Sequence, residues 1–163
     1  MSWDYSVTSW LNSFSGKNAL LDSVFVAITM GGPIVLVALI AVRWWTKVQR
    51  ELQRHLAIAC AMATLLGLFF NQIILLFYHR PRPYESGITH LIIQKSSDPS
   101  FPSDHATVGF AIAMMLLISR DRWSVGCSII SIFICLSRIY VGTHFVTDVI
   151  GVLIGSSFSD LVR

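Results

Sequence analysis

Three short stretches of this chain carry residues able to do chemistry together. In "SRIYVGTHFVTD" (137–148), His144 and Asp148 are four apart and Arg138 lies upstream. On a helix that spacing puts imidazole and carboxylate on one face, one turn from each other. A carboxylate accepting from Nδ1–H fixes the tautomer and leaves the Nε2 lone pair free to act as base or nucleophile. A pair that only holds two helices together has the same spacing. Arg138 adds a permanently charged fork of donors that matches phosphate oxygens. In "SFPSDHAT" (100–107), Ser103, Asp104 and His105 stand where a helix begins. Ser103 or Asp104 suits an N-cap. The free N–H groups of that same helix end also form an anion site. Asp104 has three readings: acid–base group, neighbour that tunes His105, or cap. "HRPRPY" (79–84) holds Arg82 in a rigid Pro-Arg-Pro, with Arg80 just before it.

The elements that must position these residues read as membrane helices. The chain has 163 residues, of which 54% are hydrophobic and 13% charged. Soluble domains carry about a quarter charged residues, so the deficit points to a surface that faces lipid. The length suits one domain covering 1–163. The pattern predicts an all-α polytopic bundle of about five spans, each near the roughly 20 residues that a crossing needs. They fall at 19–43, 55–78, 104–119, 123–141 and 144–162, the third and fifth being short. Gly31-Gly32-Pro33 interrupts the first span and predicts a kink or two half-helices. Before it, Trp3, Tyr5, Val7, Trp10, Leu11 and Phe14 recur at roughly helical spacing, as in a short helix lying in the interface. With Asp4 early and no basic segment ahead of an apolar core, this start does not read as a signal peptide.

Arg43, Lys47, Arg50 and Arg54 follow the first span, Arg120 and Arg122 follow the third, and Arg163 ends the chain. Five spans put all three groups on one side, which the positive-inside rule makes cytoplasmic. Trp44, Trp45 and Trp123 sit at those boundaries as interface anchors. The three chemical stretches fall on the opposite side. Two His, an Asp and two Arg from separate segments on one face are hard to explain as anchors. No Lys/Arg run reads as nucleic-acid binding. Cys60, Cys127 and Cys135 lie in apolar runs without paired spacing, so they read as small hydrophobes. Gly151 and Gly155 form a GxxxG that predicts close packing of the last span on its neighbours. His79, Glu85 and His90 read as solvated loop residues.

In their order and spacing, "RP" at 82–83, "PSDH" at 102–105 and "SR" followed by His144 and Asp148 resemble the three signature motifs of the type 2 phosphatidic acid phosphatase superfamily. That pattern is K-x6-R-P, P-S-G-H and S-R-x5-H-x3-D. The third motif matches at every defined position; the second has Asp104 in the Gly place; in the first, Leu75 stands where Lys is expected. The resemblance implies a metal-independent, cofactor-free lipid phosphatase. His144 would attack phosphorus and form a phosphohistidine, Asp148 would orient it, and His105 would protonate the leaving oxygen and later activate water. Arg82, Arg138 and Ser103 would hold the phosphate, with Asp104 beside them and Arg80 substituting for the missing Lys.

The short length, the "LLDS" of the first span and the "SFPSDH" form are most similar to the bacterial undecaprenyl-pyrophosphate phosphatases of the bacitracin-resistance type. That branch implies a cytoplasmic-membrane enzyme with its site on the outer face, recycling the lipid carrier of cell-wall synthesis. Phosphatidylglycerophosphate, phosphatidic acid and lipid A phosphates are the alternative substrates. A lipid-phosphate binder or transporter and a purely structural membrane protein are the alternatives from other classes.

Overall fold

The computed structural model describes residues 3–158, and for 153–158 the backbone alone. It is a bundle of six helices: α1 (Trp3–Asn12), α2 (Ala19–Arg43), α3 (Arg50–Phe77), α4 (Asp104–Ile118), α5 (Ser124–Tyr140) and α6 (Val146–Phe158). No strand occurs among the described residues. Arg163 and the last residues of the fifth predicted span lie outside them.

α2 opens on a cap, the Asn18 side chain accepting from the N–H groups of Leu20 at 3.0 Å and Leu21 at 3.2 Å. It runs without a break through Gly31-Gly32-Pro33, so the two half-helices do not form. A proline in a helix interior removes the bond to the carbonyl four residues back. Here that residue is Thr29, whose hydroxyl bonds to Ser137 Oγ of α5 at 2.7 Å and ties the weak point to a neighbour. α2 and α3 have mean hydropathies of 2.5 and 2.0 and are long enough to cross a membrane. Leu65, Leu66, Phe69 and Phe70 of α3 are exposed, as suits lipid contact.

α4 is the central element and packs against α2, α3, α5 and α6. At 15 residues it rises only about 22 Å. One core cluster joins Leu36 and Ile40, Ala57 and Cys60, Ile112 and Leu116, and Cys127 and Ile134, two residues from each of α2, α3, α4 and α5. A second joins Ala106, Phe110, Cys135, Ile139 and Val149 where α4, α5 and α6 meet. The three cysteines are free and buried.

Between α3 and α4, residues 78–103 form an irregular cover at the bundle end where α4 and α6 begin. It is stitched down by backbone bonds from Ser100 N–H to the Arg80 carbonyl at 2.8 Å and from Ile92 N–H to the Val141 carbonyl at 3.4 Å. Gly142 makes the α5–α6 turn at φ +87°, and a Cβ there would lie 2.5 Å from the His90 carbonyl oxygen. Only glycine fits both the angle and the contact. In α6, a Cβ on Gly151 would lie 2.8 Å from the Phe101 ring, so this glycine packs closely on the irregular segment and not on another span; the surroundings of Gly155 lie outside what is described.

α1 departs from a simple interfacial helix. Trp3 and Trp10 are 60% and 61% exposed, whereas Asp4, Thr8 and Asn12 are 5%, 0% and 4% exposed. The aromatic face points outward and a polar stripe at four-residue spacing faces the protein. The opposite end of the bundle has its own polar cluster. Arg43 reads as a basic anchor in the sequence, yet it is buried, and its Nη1 and Nη2 meet Asp121 Oδ1 and Oδ2 at 2.7 and 2.5 Å. Its Nε donates to Gln53 Oε1 at 2.6 Å. Hydrogen bonds from Arg43 hold the Asp121 carboxyl below its usual range, against the effect of burial.

Candidate active site

His144 lies in the turn between α5 and α6, two residues before the last helix starts. Its ring is fixed from both sides. Nδ1 is 2.6 Å from the Ser100 carbonyl, which can only accept, so Nδ1 carries the proton. Nε2 then holds the lone pair, and Arg138 Nη2 donates to it at 3.3 Å. Burial pushes the imidazole down to about 4 despite the nearby Asp148, which keeps it neutral at ordinary pH.

The direct bond expected from His144 to Asp148 is replaced. Nδ1 and Asp148 Oδ2 are 3.8 Å apart. The i,i+4 argument requires both residues on one helix, but α6 begins only at Val146. Asp148 instead turns back over its own helix end. Its Oδ2 accepts from Phe145 N–H at 2.9 Å and from the Ser100 hydroxyl, and its Oδ1 accepts from Arg80 Nη1 at 2.5 Å. Ser100 therefore relays between the carboxylate and the imidazole, with its hydroxyl on one and its carbonyl on the other. Its own N–H bonds to the Arg80 carbonyl, so every polar group of Ser100 is engaged. Nothing in the spacing of "SFPSDHAT" singles out Ser100 for this role.

Arg138 and Arg82 approach from two sides. Both are buried. Neither guanidinium meets a carboxylate among the described residues. Arg82 donates from Nε to the Asp98 carbonyl at 2.7 Å, from Nη1 to the Thr143 carbonyl at 3.3 Å and from Nη2 to Ser96 Oγ at 3.2 Å. It thus ties the cover segment to the residue before His144. Arg138 has the contact with His144, and its buried Nε has no hydrogen-bond partner among the described residues. The buried Ser103 hydroxyl is likewise unpartnered there. Ser103 stands at the N-cap position of α4, but its side chain makes no capping bond. A buried guanidinium without an anion costs several kcal/mol, and an orphaned hydroxyl adds to that. An oxyanion bound among them would relieve both.

His105 is in the first turn of α4, partly buried, within electrostatic reach of Arg138, His144 and Arg82. Asp104 is exposed and accepts at Oδ1 from Asn71 Nδ2 of α3 at 2.7 Å, which joins the two helices. Arg80 stands apart from this group. Its Nη1 donates to Thr147 Oγ1 at 2.7 Å as well as to Asp148, and its Nη2 donates to Asp4 Oδ2 at 2.7 Å. Its guanidinium carbon lies 3.9 Å from the centre of the Phe145 ring. Burial works against the charge on Arg80, but the bonds to Asp4 and the field of Asp148 hold it firmly protonated. Arg80 is thus committed to carboxylates of the protein.

Fold and site together describe a helical membrane protein with a buried histidine between two buried guanidiniums at one end of its bundle. The sequence pattern of the PAP2 superfamily matches residues 55–162, and the chain belongs to that superfamily. Along 98% of its length it is 33% identical to the undecaprenyl-diphosphatase BcrC of Bacillus subtilis (strain 168), covering 86% of that protein. It is 37% identical over 60% of its length to the rat (Rattus norvegicus) sphingosine-1-phosphate phosphatase 1, covering 24% of that longer chain. In three dimensions it resembles the crystal structure of a transmembrane PAP2-type phosphatidylglycerolphosphate phosphatase from Bacillus subtilis. The TM-score is 0.68 at 19% identity, over 99% of this chain and 87% of that one. The last likeness concerns the fold alone.

Proposed function

We propose that the chain works as one domain that hydrolyses undecaprenyl pyrophosphate to undecaprenyl phosphate and inorganic phosphate, in a bacterial cytoplasmic membrane. The observation that carries the chemistry is the pair of buried guanidiniums without carboxylates beside a neutral His144. The lipid assignment rests on the similarity to BcrC along nearly the whole chain. Arg43, Lys47, Arg50, Arg54, Arg120 and Arg122 gather at the end opposite the site. With five crossings, the positive-inside rule puts the site on the extracytoplasmic face.

The residues divide the reaction as follows. Arg82, Arg138 and Ser103 hold the terminal phosphate. His144 Nε2 attacks its phosphorus, and the bond to the bridging oxygen breaks. His105 gives a proton to that oxygen, and undecaprenyl phosphate leaves. Water then attacks the phosphohistidine, His105 takes a proton from it, and inorganic phosphate leaves with His144 restored. The arginines supply the charge neutralisation that phosphoryl transfer mainly requires. The covalent intermediate replaces one difficult step by two easier ones.

Purified full-length protein is tested on undecaprenyl pyrophosphate, phosphatidylglycerophosphate, phosphatidic acid and sphingosine 1-phosphate, with and without EDTA. The expected outcome is phosphate release fastest from undecaprenyl pyrophosphate, unchanged by EDTA, with an acid-labile phosphoprotein trapped at His144. Preference for a monophosphate ester would reassign the substrate. Tight binding of all four without phosphate release would make the protein a binder.

A further inference from the structure

The site described above ends at Asp148, but the bonding does not. Asp148 is held by Arg80, and Arg80 is held by Asp4, a buried carboxylate of α1. α1 lies outside residues 55–162, the part that matches the family pattern. Asp4 does three things at once. Oδ2 accepts from Arg80 Nη2 and from Thr147 Oγ1, each at 2.7 Å, while Oδ1 accepts from Thr147 N–H at 3.0 Å. One turn on, Thr8 Oγ1 accepts from Val146 N–H at 3.1 Å. The first N–H groups of a helix have no partner inside it. Here those of α6 are capped by side chains of α1, from the far end of the chain. α1 also places Tyr5 against Phe145, with ring centres 5.2 Å apart, on the residue that follows His144.

We propose that Asp4 is a positioning residue for the phosphatase reaction, acting through Arg80 to set Asp148 and, by way of Ser100, the ring of His144. Arg80 then acts on the nucleophile rather than on the substrate. Between two carboxylates it cannot swing toward a phosphate without leaving Asp148. With Asp4 neutral, Arg80 leans wholly on Asp148. That weakens the hold of Asp148 on the Ser100 hydroxyl, and through Ser100 the aim of His144 loosens.

This inference rests on the assignment of His144 as nucleophile, and the test keeps the two apart. Wild type, His144→Ala, Asp4→Asn, Asp4→Glu, Arg80→Gln and the double variant Asp4→Asn/Arg80→Gln are assayed on undecaprenyl pyrophosphate in detergent. Melting temperature is recorded for each. Absence of phosphate release from wild type, or near-wild-type release by His144→Ala, would sink the assignment of function itself. With that assignment standing, Asp4→Asn is expected to lower kcat about tenfold, with KM within about threefold and the fold intact. Asp4→Glu is expected to regain part of the loss. The double variant should be no slower than Arg80→Gln alone, since coupled residues are non-additive. A merely structural α1 would instead give additive losses that follow melting temperature, and that result overturns the proposal. So does a tenfold rise in KM with little change in kcat for Arg80→Gln, which would put Arg80 on the substrate. Should Asp4→Asn not fold, the split between kcat and KM in Arg80→Gln decides alone.

Discussion

The two ends of the bundle each bury an arginine–aspartate pair, and they use it differently. At one end Arg43 and Asp121 meet through two parallel bonds, with Gln53 on the remaining nitrogen. The cluster is closed, and it joins the C-terminus of α2 to the turn between α4 and α5. At the other end Arg80 and Asp148 also meet at 2.5 Å, but near them lie Arg82 and Arg138, whose guanidiniums bond to no carboxylate among the described residues. Arg138 Nε and Ser103 Oγ, both buried, have no partner there among the described residues. Arg54 Nε, near the first end, is also unpartnered, but that guanidinium lies over the Trp44 ring at 5.0 Å. The contrast separates a bond that builds the fold from a cluster whose unpaired guanidiniums fit the proposed anion site. In the first all three guanidinium nitrogens of Arg43 have acceptors; in the second Arg138 Nε and Ser103 Oγ have none among the described residues.

Mutations at the two ends should therefore fail in different ways. The largest effect is expected from His144→Ala, which removes the proposed nucleophile and should lower phosphate release roughly a thousandfold or more without unfolding the protein. Retention of activity would erase the difference between the ends. Arg138→Lys keeps a charge but loses the fork, and should lower kcat about a hundredfold, as does removing one preorganised donor from an oxyanion site. Ser103→Ala should lower kcat by about ten- to a hundredfold while leaving melting unchanged or slightly higher, because it deletes a buried hydroxyl that the folded protein leaves unpaired. A drop in melting temperature would show that Ser103 is a cap after all.

At the closed end the signs reverse. Asp121→Asn should leave kcat within about twofold of wild type but lower the melting temperature by roughly 5–10 °C, since it strands the buried Arg43 charge. The folded pKa of Asp121 lies below its unfolded value, so its stabilisation is complete above the ordinary carboxylate range. It fades as pH falls through the lower folded value. The smallest and sharpest test concerns His144 itself. Its folded pKa is down to about 4, so nitrogen-edited NMR of the imidazole should show a neutral, Nδ1-protonated ring at pH 6. A titration midpoint near the ordinary value would mean that the ring is not held dry.

Much of this architecture could be read before any coordinates were known. The helix bounds expected at 19–43, 104–119 and 123–141 agree with α2, α4 and α5 to within a residue at each end, because apolar runs and their polar breaks are written locally. The contacts around His144 could not be read in the same way. The spacing of His144 and Asp148 suggests a direct bond only if a helix covers both, and the helix starts two residues late. The role of Ser100 depends on where residues 78–103 settle, and an irregular segment has no periodicity to announce that. In α1 the aromatic stripe is conspicuous, while Asp4, Thr8 and Asn12 at four-residue spacing are equally regular but less prominent. That polar stripe was the available signal that α1 turns a bonding face inward.

By itself the sequence determined the class of this protein and named most of the charged residues of its candidate site. A chain this apolar must place its helices in lipid, and two histidines with arginines at the mouths of separate spans point to an anion. What only the tertiary structure decided is which of those charges are paired with a carboxylate of the protein itself. Arg80 and Arg82 are two residues apart and look alike in the chain. Arg80 is taken up by Asp4 and Asp148, from opposite ends of the sequence, whereas the guanidinium of Arg82 meets only neutral oxygens among the described residues. Pairing across such distances is set by packing, since a buried charge takes whichever carboxylate the fold brings within reach.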